Sequence, residues 1–304
     1  MIQYRKVVQQ QCEHWQIWRA NLGMLWFKKQ ASNSEQNFDE IEPSTLKTGL
    51  DDEICRIKLE ELLNATNEKG GIDTFIASLK NKHALFSDVL SYEKIDELSP
   101  EGLSILLDTV FTARRKLPDS LSKVPHDVVV RQIKHLLYGK QTISERMQQF
   151  SALFEGEHKK TQRAAWDFSA ELLHFYSPER FPHMSRWVWN EKETSGALRE
   201  FIRGGDTMRD VSFGDTPANF EASRVWFAQQ LGQQGFYRDI HYFIDLLVAQ
   251  AYAEYILSMS SGLGMFGSQF GAAELKPLEL VVKLLGIDPA KKNDFMRLKK
   301  AVVH

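Results

Sequence analysis

Cysteine is nearly absent. Cys12 and Cys55 are the two in 304 residues, too few and too far apart for a disulfide framework or a zinc site, and a reducing compartment accounts for both as buried thiols. Long apolar runs are missing as well. No window approaches the roughly 18 to 20 apolar residues of a membrane span, and the opening MIQYRKVVQQQCEHWQIW lacks the unbroken apolar stretch of a secretory signal. The expectation is a soluble, cytoplasmic protein. The most apolar region, Tyr242 to Phe270, carries Asp245 and Glu254, which marks a buried helix followed by a glycine-rich loop. With 43% hydrophobic and 26% charged residues, the chain is far from the composition of disordered proteins and is expected to fold without a cofactor.

Strand signals are scarce too. The β-branched run Val128-Val129-Val130 leads straight into Ile133, Leu136 and Leu137 at helical spacing, so a helix is expected there. Elsewhere helices announce themselves. Leu103, Leu106, Leu107 and Val110 repeat at i, i+3, i+4, i+7 behind Ser99-Pro100, a cap followed by a proline whose missing N–H costs nothing at the first helical position. Thr142-x-x-Glu145 reads as a capping box, and Thr216-Pro217 and Asp288-Pro289 repeat the cap-then-proline device. The series Ile72/Phe75/Ile76/Leu79, Ile240/Phe243/Ile244/Leu247 and Leu278/Val281/Val282/Leu285, the last closed by Gly286, complete the pattern. No repeat period is present. Polar, Gly- or Pro-punctuated stretches at 31–50, 116–125 and 204–217 read as linkers. The predicted fold is mostly α, an irregular multi-helix bundle in two lobes. An acidic helical N-terminal lobe covers 1–116 and a larger helical lobe with a basic, aromatic-rich centre covers 117–304.

Charge separates these regions. The whole chain is formally −2, yet residues 112–190 hold 13 Lys and Arg against 8 Asp and Glu. Arg114, Arg115, Lys116, Arg131, Lys134, Lys159, Lys160, Arg163, Arg180 and Arg186 could form a stripe that attracts phosphates or an acidic protein surface. Aromatic residues interleave with them. The predicted contact residues for a protein partner or nucleic acid are Lys160, Arg163, Arg180 and Arg186 for charge, with Trp187 and Trp189 as anchors.

The stretch LLHFYSPERFPHMSRWVWN, residues 172–190, concentrates these features. A helix with the face Ala165, Phe168, Leu172 and Phe175 is expected to stop before Pro178, because proline disfavours helical geometry in the residue preceding it. Pro182 repeats the stop, after which a second short helix is expected over Met184 to Trp189. Glu179 and Arg180 then sit in a proline-stiffened elbow. A small-residue helix ending in Leu172-Leu173, followed by Pro178-Glu179-x-Phe181-Pro182, resembles a helical module met in many bacterial proteins of genome maintenance and phage defence. The resemblance covers about 30 residues and implies a setting rather than an activity. Relatives of that kind often carry a helix–hairpin–helix glycine pair ahead of the helix; here only Gly156 stands there.

Catalytic motifs are also lacking. Gly262-x-Gly264-x-x-Gly267 matches a dinucleotide fingerprint in letters, but a helix rather than a strand precedes it. Glu274-x-Lys276 lacks the strands of a nuclease site. There is no Walker lysine loop, no zinc-protease helix and no nucleophile elbow. The nine histidines are scattered. His135, His174, His183 and His241 could meet in space, but no pair has ligand spacing on one helical face, so neither a metal nor a cofactor is expected. Three functions stay open. The first is a non-enzymatic subunit or adaptor of a larger bacterial complex, with phage defence or genome maintenance as its setting, meeting protein subunits with or without nucleic acid and no membrane. The second is a DNA- or RNA-binding protein acting through the stripe at 112–190. The third is an enzyme whose site gathers Glu171, His174 and Glu179 with Arg180 and His183.

Overall fold

The computed structural model describes residues 41–46, 49–202, 213–263 and 276–289, without the side chains of 260–263. All of them belong to one compact unit, 39–304. Cys12, the helix expected behind Pro289, most of the Gly262–Gly267 loop and Glu274 lie outside the described residues.

Ten α-helices occur among the described residues: α1 (Asp52–Asn67), α2 (Ile72–Val89), α3 (Pro100–Asp108), α4 (Pro118–Leu121), α5 (His126–Tyr138), α6 (Ile143–Ala152), α7 (Lys159–Tyr176), α8 (Pro217–Gln233), α9 (Ile240–Leu263) and α10 (Pro277–Leu285). Short 3₁₀ turns occupy Ile95–Glu97, Glu191–Glu193 and Ala197–Phe201. Pairing of β type is limited there to two isolated bridges, Leu50 with Ile202 and Asn190 with Ser195. The fold is all-α, as composition and periodicity predict, and none of the described helices is long and apolar enough to cross a membrane.

Local chemistry sets the helix starts. Ser99 Oγ accepts from the Gly102 N–H ahead of α3, with Pro100 at the first helical position. At α6 the Thr142 side chain receives the Glu145 N–H while Glu145 receives the Thr142 N–H, so two end donors are satisfied reciprocally. Thr216 caps α8 through the Asn219 N–H. Gly286 ends α10 at φ +61°, and a Cβ there would lie 1.7 Å from the Thr109 carbonyl oxygen. Backbone conformation and close packing against the end of α3 therefore both require glycine.

Two helices form the axis of the core. α7 buries every residue from Asp167 to Phe175, and α9 buries nearly all of Tyr242 to Ala253, as a helix apolar on all sides must. α2, α5 and α6 pack on α7, while α1, α8, α10 and the 197–201 turn pack on α9. The boundary expected at residue 116 falls inside this arrangement. α2, from the region read as the N-terminal lobe, packs on both α7 and α9, and one hydrophobic cluster runs from Cys55 to Ile287. The apolar faces of α1 and α2 are covered by the central helices rather than by each other alone, so these residues do not form a separate lobe.

One expected element differs. Residues 182–190 are not a helix but a buried irregular run with a single turn over 186–188. Its backbone is satisfied across the fold: the Ala197 and Leu198 N–H groups donate to Trp187 O and Val188 O at 2.9 and 3.0 Å. Gly196, at φ +122°, allows this approach, since a Cβ would lie 2.7 Å from Val188 O. The run carries His183 into the core beside α9.

Candidate functional site

Asp167, Glu171 and His174 stand at i, i+4 and i+7 on α7, which places them on one helical face. That face is buried, each side chain being at most 2% exposed. Glu171 Oε2 receives the Lys82 ammonium from α2 at 2.9 Å. The same ammonium donates to Thr109 O at 3.1 Å and Leu285 O at 2.7 Å, and it lies 3.8 Å from the centre of the Phe175 ring. Burial pushes the Lys82 pKa below its usual range and the Glu171 carboxylate opposes it, while three acceptors match the three N–H groups of the ammonium. One cation thereby fastens the ends of α3 and α10 to α7.

On the other side of Glu171 stand two imidazoles. His174 Nδ1 donates to Phe181 O at 2.9 Å, and its Nε2 faces Asp245 Oδ2 of α9 at 2.9 Å. The carbonyl can only accept, so Nδ1 carries the proton. In the neutral ring, Nε2 is then a lone pair pointed at a carboxylate, and something positive must lie between them. His183, from the irregular run, stacks on His174 at 4.6 Å between ring centres. Its Nε2 is 3.4 Å from Glu171 Oε1 and its Nδ1 3.6 Å from Asp245 Oδ1. Neither is a well-formed hydrogen bond, and both nitrogens are shielded from solvent.

Such groups are costly to bury and strongly perturbed. Burial alone would raise the Glu171 carboxyl, but the Lys82 ammonium and then His183 hold it below the usual range. Burial works against Asp245 in the same way, and the His174 and His183 imidazoles overcome it, so Asp245 is ionised. For His183, burial opposes the charge, yet the flanking Asp245 and Glu171 carboxylates raise its pKa to about 9. His241 is the opposite case. Burial first, then the nearby Arg224 charge, drives it down to about 3, and its Nδ1 has no partner. A cavity of about 30 Å³ adjoins the cluster, lined among others by His174, His183, His241, Asp245, Ser223 and Arg224. It has room for a water molecule or two and not for an organic substrate.

The residues expected to touch a partner are placed unevenly. Trp187 and Trp189 are 4% and 1% exposed. Trp187 packs edge-on against His183 at 4.8 Å, and Trp189 donates its indole N–H to Phe213 O at 2.8 Å. Both are core residues, and the irregular run that turns them inward is the reason they cannot act as surface anchors. Arg186 is bound to buried Asp167, whose carboxylate accepts both its backbone N–H at 2.9 Å and its guanidinium at 2.8 Å. Arg163 is exposed and pairs with exposed Glu193 at 2.6 Å. Lys160 is exposed in the first turn of α7, and Arg180 is half-buried with its guanidinium 5.4 Å from the Phe181 ring centre.

Four of the cations nevertheless act on one another electrostatically. The exposed Lys116 is pushed below its usual range, first by desolvation and then, against the pull of Asp167, by the charges of Arg186, Lys160 and Arg163. Arg131 and Lys134, also expected in the stripe, are paired instead with Asp127 and Asp96. Trp166, half-buried, lies three residues beyond Arg163 on α7.

No protein-family model, curated protein or solved structure matches the chain. Of the set Glu171, His174, Glu179, Arg180 and His183, the fold gathers Glu171, His174 and His183, while Glu179 lies exposed on the elbow. Lys82 and Asp167 join the cluster without having stood out in the sequence, and Asp245 stands out there only as a charge in an apolar helix. A signal exists for each of the two long-range partners. Lys82 follows Leu79 by three and precedes Phe86 by four, on the apolar face of α2, and Asp245 interrupts the most apolar stretch of the chain.

Proposed function

We propose that the protein is a non-enzymatic helical subunit of a larger bacterial assembly, and that it meets an anionic partner surface through Lys116, Lys160, Arg163 and Arg186. The observation that supports this reading is that Lys116, lowered first by desolvation and pulled the other way by Asp167, also feels the charges of Arg186, Lys160 and Arg163 from 44 to 70 residues away in the chain. Asp167 and Glu193 answer Arg186 and Arg163, which leaves Lys116 and Lys160 as exposed charges that attract an anionic surface. The module resemblance around Leu172 to Pro182 supports a setting in genome maintenance or phage defence. The cavity that the described residues form beside His174 and His183 holds a water molecule or two, which counts against the enzyme alternative. Direct DNA or RNA binding is the second reading, favoured by Trp166 at one helical step from Arg163.

The test is Lys160→Glu combined with Arg163→Glu, two exposed sites whose change leaves the buried network intact. Tagged wild-type and variant chains are recovered from the native host with and without nuclease treatment. The expected result is a set of protein partners that survives nuclease and is lost with the variant. Partners that vanish on nuclease treatment, together with DNA or RNA binding that weakens steeply with salt, favour the second reading. Identical recovery with wild type and variant removes the proposed face.

A further inference from the structure

We infer that His174, His183 and Asp245 form a binding site for a divalent first-row transition metal, with Glu171 supporting it from behind. The three residues come from α7, the irregular run and α9, and their donor atoms all lie within 4.8 Å of one another, each side chain buried. Two imidazoles and a carboxylate are a donor set that suits zinc, iron or cobalt, with remaining positions open to water.

Four features of the cluster point to an ion. The Nδ1–H of His174 is held by the Phe181 carbonyl, which aims Nε2 at Asp245 Oδ2 at 2.9 Å, another of the three donors. Ligating histidines are oriented in the same way, their second N–H donated to a backbone carbonyl or carboxylate. Glu171 offers the equivalent acceptor to His183 Nε2 at 3.4 Å, freeing His183 Nδ1 to turn toward Asp245. His183 is 6% exposed in its side chain and makes no normal hydrogen bond through either nitrogen, so no local bond fixes its ring angle. Finally, the adjoining cavity of about 30 Å³ accommodates a water as a further ligand.

Binding requires a modest closure. Bonds of about 2.0–2.1 Å in a tetrahedral site bring donor atoms to roughly 3.3 Å from each other. The His174 and His183 rings stack nearly parallel, at 14°, whereas an ion must lie in the plane of each ring it binds. His183 therefore rotates on binding, between Trp187 and Phe175, which flank it edge-on. Lys82 stays on the far side of Glu171, and the ion replaces two protons, the one between His174 Nε2 and Asp245 Oδ2 and the one on His183 Nδ1, both of which leave to solvent.

The experiment uses the full chain, stripped with a chelator and dialysed. Zn²⁺ is titrated by calorimetry, and the thermal midpoint is followed with and without it. About one equivalent should bind, with a rise in midpoint of about 5 °C at a hundredfold excess over the dissociation constant. His183→Gln and His174→Gln should each lose at least tenfold in affinity, whereas Glu179→Gln should bind as wild type does. If a histidine variant does not fold, Co²⁺ added to the wild-type chain decides: intense visible bands of four- or five-coordinate Co²⁺ are expected. No binding by the wild-type chain, an unshifted midpoint, a six-coordinate aqua spectrum, or a folded His183→Gln that binds unchanged would each overturn the site.

Discussion

Helix α7 presents two kinds of ion pair within a dozen residues. At its first turns Arg163 meets Glu193 at 2.6 Å with both side chains nearly half exposed. Two turns on, Glu171 meets Lys82 at 2.9 Å with both at 1% exposure or less. The distances are alike and the consequences are not. Water and salt screen the outer pair, so it is free to exchange partners at little cost. Water is excluded from the inner pair, and each charge there depends on the other and on the carbonyls of Thr109 and Leu285. Outer charges can be used for recognition, whereas inner ones must first be satisfied by the fold.

Breaking the inner pair is expected to have the largest effect. Lys82→Met leaves the Glu171 carboxylate buried without its cation, and stability should fall by about 3–5 kcal/mol. Lys82→Met together with Glu171→Leu should recover most of that loss, because an apolar pair of similar volume needs no charge compensation. Equilibrium unfolding in urea measures both. If the double variant is as unstable as the single one, the loss comes from the Thr109 and Leu285 carbonyls and from packing rather than from the uncompensated Glu171 charge.

Arg186 stands between the two regimes. Its side chain is a quarter exposed, but Asp167 beneath it is buried. Burial raises the Asp167 carboxyl, opposed by its bonds to Arg186, so removal of the guanidinium favours the protonated acid. Arg186→Met should cost about 2–3 kcal/mol, less than Lys82→Met, since Asp167 keeps the Arg186 backbone N–H and can take up a proton. For this reason Arg186 is a poor probe of partner binding. Lost binding in that variant would mix a damaged fold with a missing contact.

A smaller and pH-dependent effect is expected at His241. Its folded pKa of about 3 lies below the unfolded value near 6.5. The unfolded chain therefore takes up the proton first as pH falls, and stability present above about pH 6.5 is lost toward pH 3. The residue is only half-buried, so solvent screening holds the loss to the order of 1–2 kcal/mol. His241→Leu should be neutral or slightly stabilising at pH 7, where it removes the partnerless Nδ1, and should flatten the decline between pH 6.5 and 4. An unchanged acid slope in urea titrations would place the dependence elsewhere.

The difference between the two faces of α7 also decides what the sequence can reveal. Ser99-Pro100, the Thr142/Glu145 box and Gly286 are legible because each acts within a few residues, where local chemistry alone sets the backbone. The stripe Asp167, Glu171, His174 keeps helical spacing, and two of its members stand out as candidates. Their partners do not, since Lys82 and Asp245 are 89 and 74 residues from Glu171 and long-range contacts leave no period. Trp187 and Trp189 read as anchors because they interleave with basic residues in a stretch expected to resume as a helix, whereas residues 182–190 form an irregular run. Without a period there is no face to assign, and burial there is set by Gly196 and the 197–201 turn. The lobe boundary at 116 rests on composition, which reports surface charge and not which apolar faces meet.

The outer pair gives the smallest expected change in stability and the sharpest separation of the two regimes. Arg163→Ala, Glu193→Ala and the double variant form a cycle whose coupling should be about 0–1 kcal/mol, falling further at 1 M salt. Partner binding should respond in opposite directions to the same two changes. Arg163→Ala removes one of the four gathered cations and weakens the complex, whereas Glu193→Ala uncovers Arg163 and strengthens it. A contact that depends on charge at this face must show that asymmetry. Equal effects of the two substitutions on binding, with stability unchanged, would mean that the partner touches neither side chain and that the cations around Lys116 are only a solvated surface.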